Sequence, residues 1–285
     1  MIQSMTGYGK SLVQLPSKKI TVEIKSLNSK NLDVNARVPS AYREKELDIR
    51  KQISKSLSRG KVDFNLYVEQ TSEETATVIN EAAVKQYMKQ LAHITDGDPV
   101  ELMKMAVRFP DALQTERDEI DETEYNKIIE AVDEALRSIN QYRTDEGKAL
   151  EADFQKRITN ISSLLDEVME LDPQRMDNVK ERLAKAISDL KENVDENRFE
   201  QELVYYLEKY DITEEQVRLS NHLSYFSETL KSKGSNGKKL GFISQEIGRE
   251  INTIGSKANF APMQQVVVQM KDELEKIKEQ ALNVL

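Results

Sequence analysis

The sequence predicts an α+β protein, with a small N-terminal strand-and-helix domain followed by a mainly α-helical region that contains a long antiparallel helical hairpin. Three observations carry this. Apolar residues alternate at a period of two before residue 71, and they recur every three to four residues after residue 121. Pro99, Pro110 and Pro173 punctuate the helical stretches. At 285 residues the chain is long enough for two domains or one elongated one. The expected divisions are an α+β domain with short helices over 1–115, the hairpin over 116–195, and a helical domain carrying the candidate site over 196–285.

In the first unit, Ile20, Val22 and Ile24, then Leu32, Val34, Ala36 and Val38, then Val62, Phe64, Leu66 and Val68 alternate with polar residues, as half-buried strands do. Between the last two runs, Tyr42, Glu46, Ile49, Ile53 and Leu57 follow a helical period that Gly60 ends. The opening Met5-Thr-Gly-Tyr-Gly-Lys10 reads as a strand-end bend, because a lone Gly-x-Gly carries little information about a ligand. Short helices fill Asn80 to Leu113, and His93 near the end of one of them caps or packs.

Tyr125, Ile128, Val132, Leu136 and Ile139, then Leu150, Phe154, Ile158, Ile161, Leu165 and Val168, hold helical spacing. Pro173 interrupts the pattern before Met176, Val179, Leu183, Ile187, Leu190 and Val194 resume it, and an antiparallel hairpin is the expected result. The last helix starts at Pro262, a residue suited to a first turn. Its seam of Met263, Val267, Met270, Leu274, Ile277, Ala281 and Val284 either packs on the hairpin or meets another subunit.

The densest chemistry lies in Gly237 to Ala258. Ile243, Ile247, Ile251, Ile254 and Ala258 form one helical face, while Glu246, Arg249, Glu250, Thr253 and Lys257 share a separate stripe. Lys231, Lys233, Lys238 and Lys239 precede and open this helix among three glycines, where a helix N-terminus favours an anion such as phosphate. Upstream, Thr213 and Gln216 fit a capping box, and Glu215, Arg218 and His222 share one stripe of the helix that follows. The bland alternative is a solvated face with ordinary i,i+4 pairs behind a flexible linker.

Composition narrows the possibilities. With no cysteine, the chain has no disulfide scaffold, thiolate metal site or cysteine nucleophile. No apolar run approaches a membrane span, so a cytoplasmic protein with no membrane partner is expected. The net charge of −9 is polarised: residues 1–71 carry 13 Lys and Arg against 7 Asp and Glu, a net +6, and the remainder carries −15. A basic RNA-facing surface on an acidic protein is compatible with that distribution, as is a merely solubilising imbalance.

Met5-Thr-Gly-Tyr-Gly9, Val22-Glu-Ile-Lys-Ser-Leu-Asn28, Arg59-Gly-Lys-Val62 and above all Gln245 to Ala258, a QExxRExNTxxSKA pattern, resemble the YicC/YloC family of bacterial endoribonucleases. Arg143-Thr-Asp-Glu-Gly147 also matches a family block. The chain departs from the pattern twice, with Gly241 where the family usually has aspartate and Ser29-Lys30 where it has a histidine-basic pair. The resemblance implies an endoribonuclease that uses manganese or magnesium and assembles as a homo-oligomer, a hexamer in relatives. With only two histidines, one of them set aside, the carboxylate-rich set among Glu202, Glu215, Glu246 and Glu250 favours a metal route. The expected assignment puts Glu246 and Glu250 on the metal, with Glu215 or Asp211 completing its shell. Arg218, Arg249 and Lys257 neutralise phosphate, and His222 moves a proton or orients water. Lys238, Lys239, Lys257, Asn252, Arg143, Asn28 and Lys30 are the expected RNA contacts. Two other readings stay open: an RNA-binding oligomer that delivers RNA to another nuclease, and a purely structural helical scaffold.

Overall fold

Four strands build one sheet: β1 (Gly7–Gln14), β2 (Lys18–Leu27), β3 (Leu32–Arg37) and β4 (Gly60–Gln70), in the order β1-β2-β4-β3. The computed structural model describes residues 2–71, 77–115, 122–189, 196–232 and 234–285. Lys233, Leu190 and Val194 of the sequence reading lie outside them. Ile20, Val22, Ile24, Val62, Phe64 and Leu66 are all buried, so the two-residue period does mark the inward face. β3 runs parallel to β4, which requires a crossover. A 3₁₀ turn over Ser40–Lys45 and helix α1 (Glu46–Ser56) supply it and bury Tyr42, Ile49 and Ile53.

The bend expected at Met5 to Lys10 is instead mostly an eight-residue edge strand, paired antiparallel with β2 from Gly7 opposite Ser26 to Gln14 opposite Lys19. The apolar period missed it because the strand's buried contact is made by small residues. A Cβ at Gly9 would lie 2.1 Å from the Ala135 carbonyl oxygen, and the Ser11 hydroxyl donates to Glu134 at 2.6 Å. Strand β1 therefore rests directly on helix backbone.

After β4, strands β5 (Thr77–Ile79) and β6 (Leu113–Thr115) pair around a small lobe of α2 (Glu81–Ile94) and α3 (Pro99–Ala106). The Asn80 and Asp98 side chains cap these two helices, accepting from Ala83 N and Val100 N. His93 sits exposed in the last turn of α2.

The helical hairpin expected over 116–195 is not formed. Residues Glu122–Asp189 are one 68-residue helix, α4, with Pro173 inside it, about 100 Å from end to end. The apolar stripe is long because it serves two cores in succession. Ile128, Ala131, Val132, Ala135, Leu136 and Ile139 pack on the sheet, whereas Phe154, Ile158, Ile161, Leu165 and Val168 pack on the C-terminal helices. The helix has no need to fold back on itself. Beside Pro173 the buried Arg175 donates to Asp172 at 2.8 Å and reaches the Lys257 carbonyl at 3.5 Å, tying this part of α4 to the C-terminal helices.

Helices α5 (Glu196–Tyr210), α6 (Thr213–Lys231), α7 (Gly237–Lys257) and α8 (Ala261–Ala281) complete the chain. Pro262 falls in the first turn of α8, as predicted. The seam from Met263 to Val284 is buried in the core shared with α4, α6 and α7, so it is consumed within the chain. The Phe154 and Phe226 rings meet edge to face there, 5.9 Å apart.

Candidate functional site

The two ends of the described chain clasp one another beside the middle of α4. Met5 N donates to Asn283 O at 2.8 Å, Leu285 N to Gln3 O at 2.9 Å, and Ser4 N to Arg143 O at 3.0 Å. The Asn28 amide, on the turn after β2, donates to Leu282 O at 2.6 Å. These bonds draw the rim of the sheet against the start of α7 and the end of α8. Between them lies a cavity of about 730 Å³, lined from the sheet side by Met5, Asn28, Lys30 and Arg59. Lys238, Gly241, Phe242 and Gln245 of α7 face it, and so do Glu275, Lys278 and Glu279 of α8.

Four cations and two carboxylates border this space, and one pair is internally matched, since Lys278 Nζ lies 2.8 Å from Glu275. Lys30, Arg59 and Lys238 leave a positive surplus suited to an anion. The α7 N-terminus opens onto the cavity, but its Gly237 N–H already donates to Leu285 O at 3.3 Å. Attraction at this end therefore falls in part to side chains. Gly241 and Lys30, where the chain departs from the resembled pattern, both line this one cavity. At Gly241 a Cβ would meet nothing within 4 Å, so a side chain there would project into open space.

Arg143, expected to face RNA or a neighbouring subunit, is turned inward and only 2 % exposed. Its Nη2 donates to Met5 O at 3.0 Å and Ser26 Oγ at 2.5 Å, and lies 3.4 Å from Arg59 O. Burial pushes its pKa below the usual arginine value. The run Arg143 to Gly147 thus anchors the N-terminal segment that carries Met5 to the cavity: Thr6 Oγ1 donates to Glu146 at 2.9 Å, and Gln3 reaches Thr144 at 3.2 Å. Arg143→Lys, which cannot reproduce the planar fork, is expected to cost about 2 kcal/mol of folding stability, read from the urea midpoint, and to leave the salt dependence of RNA binding unchanged.

The remaining predicted residues follow the border of α6 and α7. Lys257 Nζ lies 2.9 Å from Glu215 Oε1 and 2.8 Å from Asp211 O at one end, and Lys239 Nζ lies 4.5 Å from the Tyr225 ring centroid toward the other. That antiparallel register puts the partly exposed His222 at the level of Phe242 to Glu250. Arg218 pairs with Glu214 rather than Glu215, and Arg249 pairs with Glu246 at 2.8 Å. Glu250 is buried, while Asn252 and, on α5, Glu202 are exposed. Helix α6 does start at Thr213, yet the expected capping box is not formed: the N-cap residue is Ile212, with no side-chain cap, and the Asp211 carboxylate just outside the helix accepts from both Thr213 Oγ1 (2.7 Å) and Thr213 N (3.0 Å). Those bonds hold the Asp211 carboxyl below the usual carboxylate range. The stability they add is present at neutral pH and is lost as pH falls through that lowered value.

These carboxylates do not suit a divalent ion. Glu215 is committed to Lys257, Asp211 to the start of α6 and Glu246 to Arg249. Among the described residues no three Asp, Glu, His or Cys side chains converge at metal-ligand spacing. Nor is any helix of the described residues long and apolar enough to cross a membrane. The cavity itself was missed by sequence reasoning, because its lining comes from four separated stretches. The only signal that could have found it was the pair of departures at Lys30 and Gly241.

Comparison with known proteins matches two family models along the chain: the endoribonuclease YicC-like N-terminal region over residues 2–152 and the endoribonuclease YicC-like C-terminal region over 168–285. Over the full length of both chains, the sequence is 32 % identical to a probable endoribonuclease YicC of Clostridioides difficile and 29 % identical to a probable endoribonuclease YicC of Haemophilus influenzae.

Proposed function

This chain belongs to the YicC-like endoribonuclease family, and from that premise we propose that it cleaves RNA phosphodiester bonds with the backbone held in the cavity between sheet and helices. One observation supports this location above the rest: Lys30 and Arg59 from the basic N-terminal unit meet Lys238 and Lys278 from the acidic helical part around a single opening. A phosphodiester enters such a site by shedding counterions, and the cations offset the charge that grows on phosphorus during cleavage. Proton transfer needs a group within reach of the attacking or leaving oxygen. Glu279, at the cavity, is best placed for it, and His222 with Glu250 on the α6–α7 border is the second candidate.

The family resemblance implies dependence on manganese or magnesium, whereas Glu246, Glu250, Glu215 and Asp211 do not supply a shell for the ion. That disagreement favours a second reading, in which the oligomer binds RNA in the same cavity and passes it to another nuclease. Both readings place the protein in the cytoplasm and keep the homo-oligomer, a hexamer by resemblance, which light scattering of the purified chain measures.

The deciding assay is cleavage of a short labelled hairpin RNA with manganese, with magnesium and with chelator. Wild type, Lys238→Ala and Glu250→Ala are compared. Cutting by wild type is expected. Lys238→Ala should bind several-fold more weakly, with the slope of log affinity against log salt reduced by about 0.7. Binding without cutting under every condition would establish the delivery reading. Loss of cutting in Glu250→Ala alone would move the chemistry to the α6–α7 border.

A further inference from the structure

Phe242 is 62 % exposed on a helix whose other large apolar side chains, Leu240, Ile243, Ile247, Ile251 and Ile254, are buried. It lies one turn after Lys238 and three residues before Gln245, and all three line the cavity. The apolar ring is thus presented to a space whose charged border includes Lys30, Arg59 and Lys238, with Lys278 paired to Glu275 and Glu279 beside them. An aromatic face framed by cations suits an unpaired nucleotide, whose base stacks on the ring while its phosphates meet the charges. A base-paired nucleotide keeps both faces against its neighbours and offers none to the ring. Tyr225 is less suited, since Lys239 Nζ already lies 4.5 Å from its ring centroid.

We propose that Phe242 is the stacking platform for an unpaired RNA base in this cavity, so that the RNA is single-stranded where it meets Lys30, Arg59 and Lys238. The inference rests on the RNA-cleaving reading and specifies its substrate class.

The test compares wild type, Phe242→Ala and Phe242→Trp, as full chains. Each is titrated with an unstructured RNA oligonucleotide carrying a base analogue whose fluorescence is quenched by stacking, and with the same strand annealed into a duplex. Phe242→Ala is expected to bind the single strand about 10-fold more weakly, at the low end of what one stacked base contributes. The quench should disappear, the salt slope and duplex affinity should stay as in wild type, and Phe242→Trp should restore both affinity and quench. Melting curves confirm that the variants fold. Unchanged single-strand binding by Phe242→Ala overturns the proposal, and so does an equal loss on duplex. An altered oligomeric mass with loss on both RNAs also overturns it, because the ring is then a contact between subunits. A wild type that cleaves hairpin RNA while Phe242→Ala does so equally well sinks this inference alone. A wild type that binds neither RNA sinks the RNA reading with it.

Discussion

Gly147→Ala is expected to lower the melting temperature by about 6 °C, although alanine is the better helix former by about 1 kcal/mol. The residue lies inside α4, where the N-terminal segment crosses the helix so closely that a Cβ would sit 2.2 Å from the Ile2 carbonyl oxygen. Backbone meets Cβ here, so no rotamer change relieves the contact. Residues 2–5 must lift away, which strips Ile2 from the core and strains the bond from Ser4 N to Arg143 O. Overpacking of this kind costs about 2–3 kcal/mol net. Gly241→Ala is the internal control. It is also in a helix, but nothing lies within 4 Å of its added Cβ, so it should stabilise the protein by about 1 kcal/mol. Two Gly→Ala changes in two helices should therefore shift thermal denaturation in opposite directions, and a Gly147→Ala variant that melts above wild type would show that the termini do not cross α4 as described.

The second large effect is at Lys257, placed among the RNA contacts on sequence grounds. Its ammonium is the partner of Glu215, which is buried and whose Oε2 has no hydrogen-bond partner of its own. Lys257→Ala leaves that carboxylate uncompensated, at a cost of about 2–3 kcal/mol, below the usual range for breaking a buried pair because the lysine is itself partly exposed. Pairing Lys257→Met with Glu215→Leu should recover most of the loss, since both charges then leave together. If Lys257 instead met phosphate, the variant would keep its urea midpoint and lose about 0.7 from the salt slope of RNA binding. Denaturation and salt titration on one preparation separate the two roles.

The parts legible in the sequence were those where one face of one element meets one core. The alternation of Ile20, Val22 and Ile24, the helical period of α1 and the seam of α8 each record a single burial surface, and the structure buries them as the spacing demands. Strand β1 was hidden because its buried neighbour is a helix backbone, for which glycine and serine are the fitting residues. The hairpin was misread for a related reason: periodicity reports that a stripe is buried but not by how many partners, and α4 has two. Site residues were harder still. Arg143 and Lys257 carry charge that sequence alone assigns to solvent or substrate, yet one ties down backbone carbonyls and the other neutralises a buried glutamate. Lys30 and Lys238, by contrast, do reach the cavity, because each stands where an element begins or ends.

The clasp between the chain's two ends also bears on the order of assembly. Asn28 and Leu282, joined across the cavity, are 254 residues apart in sequence. Contacts of that separation carry the full cost of closing a long loop and form after local structure is in place. A partly made polypeptide can already possess its sheet, the first half of its spine helix and every lysine of the N-terminal unit, and still lack the cavity. The cavity thus closes as a last act of folding, when residues 282–285 reach the place that residues 3–5 have been keeping for them.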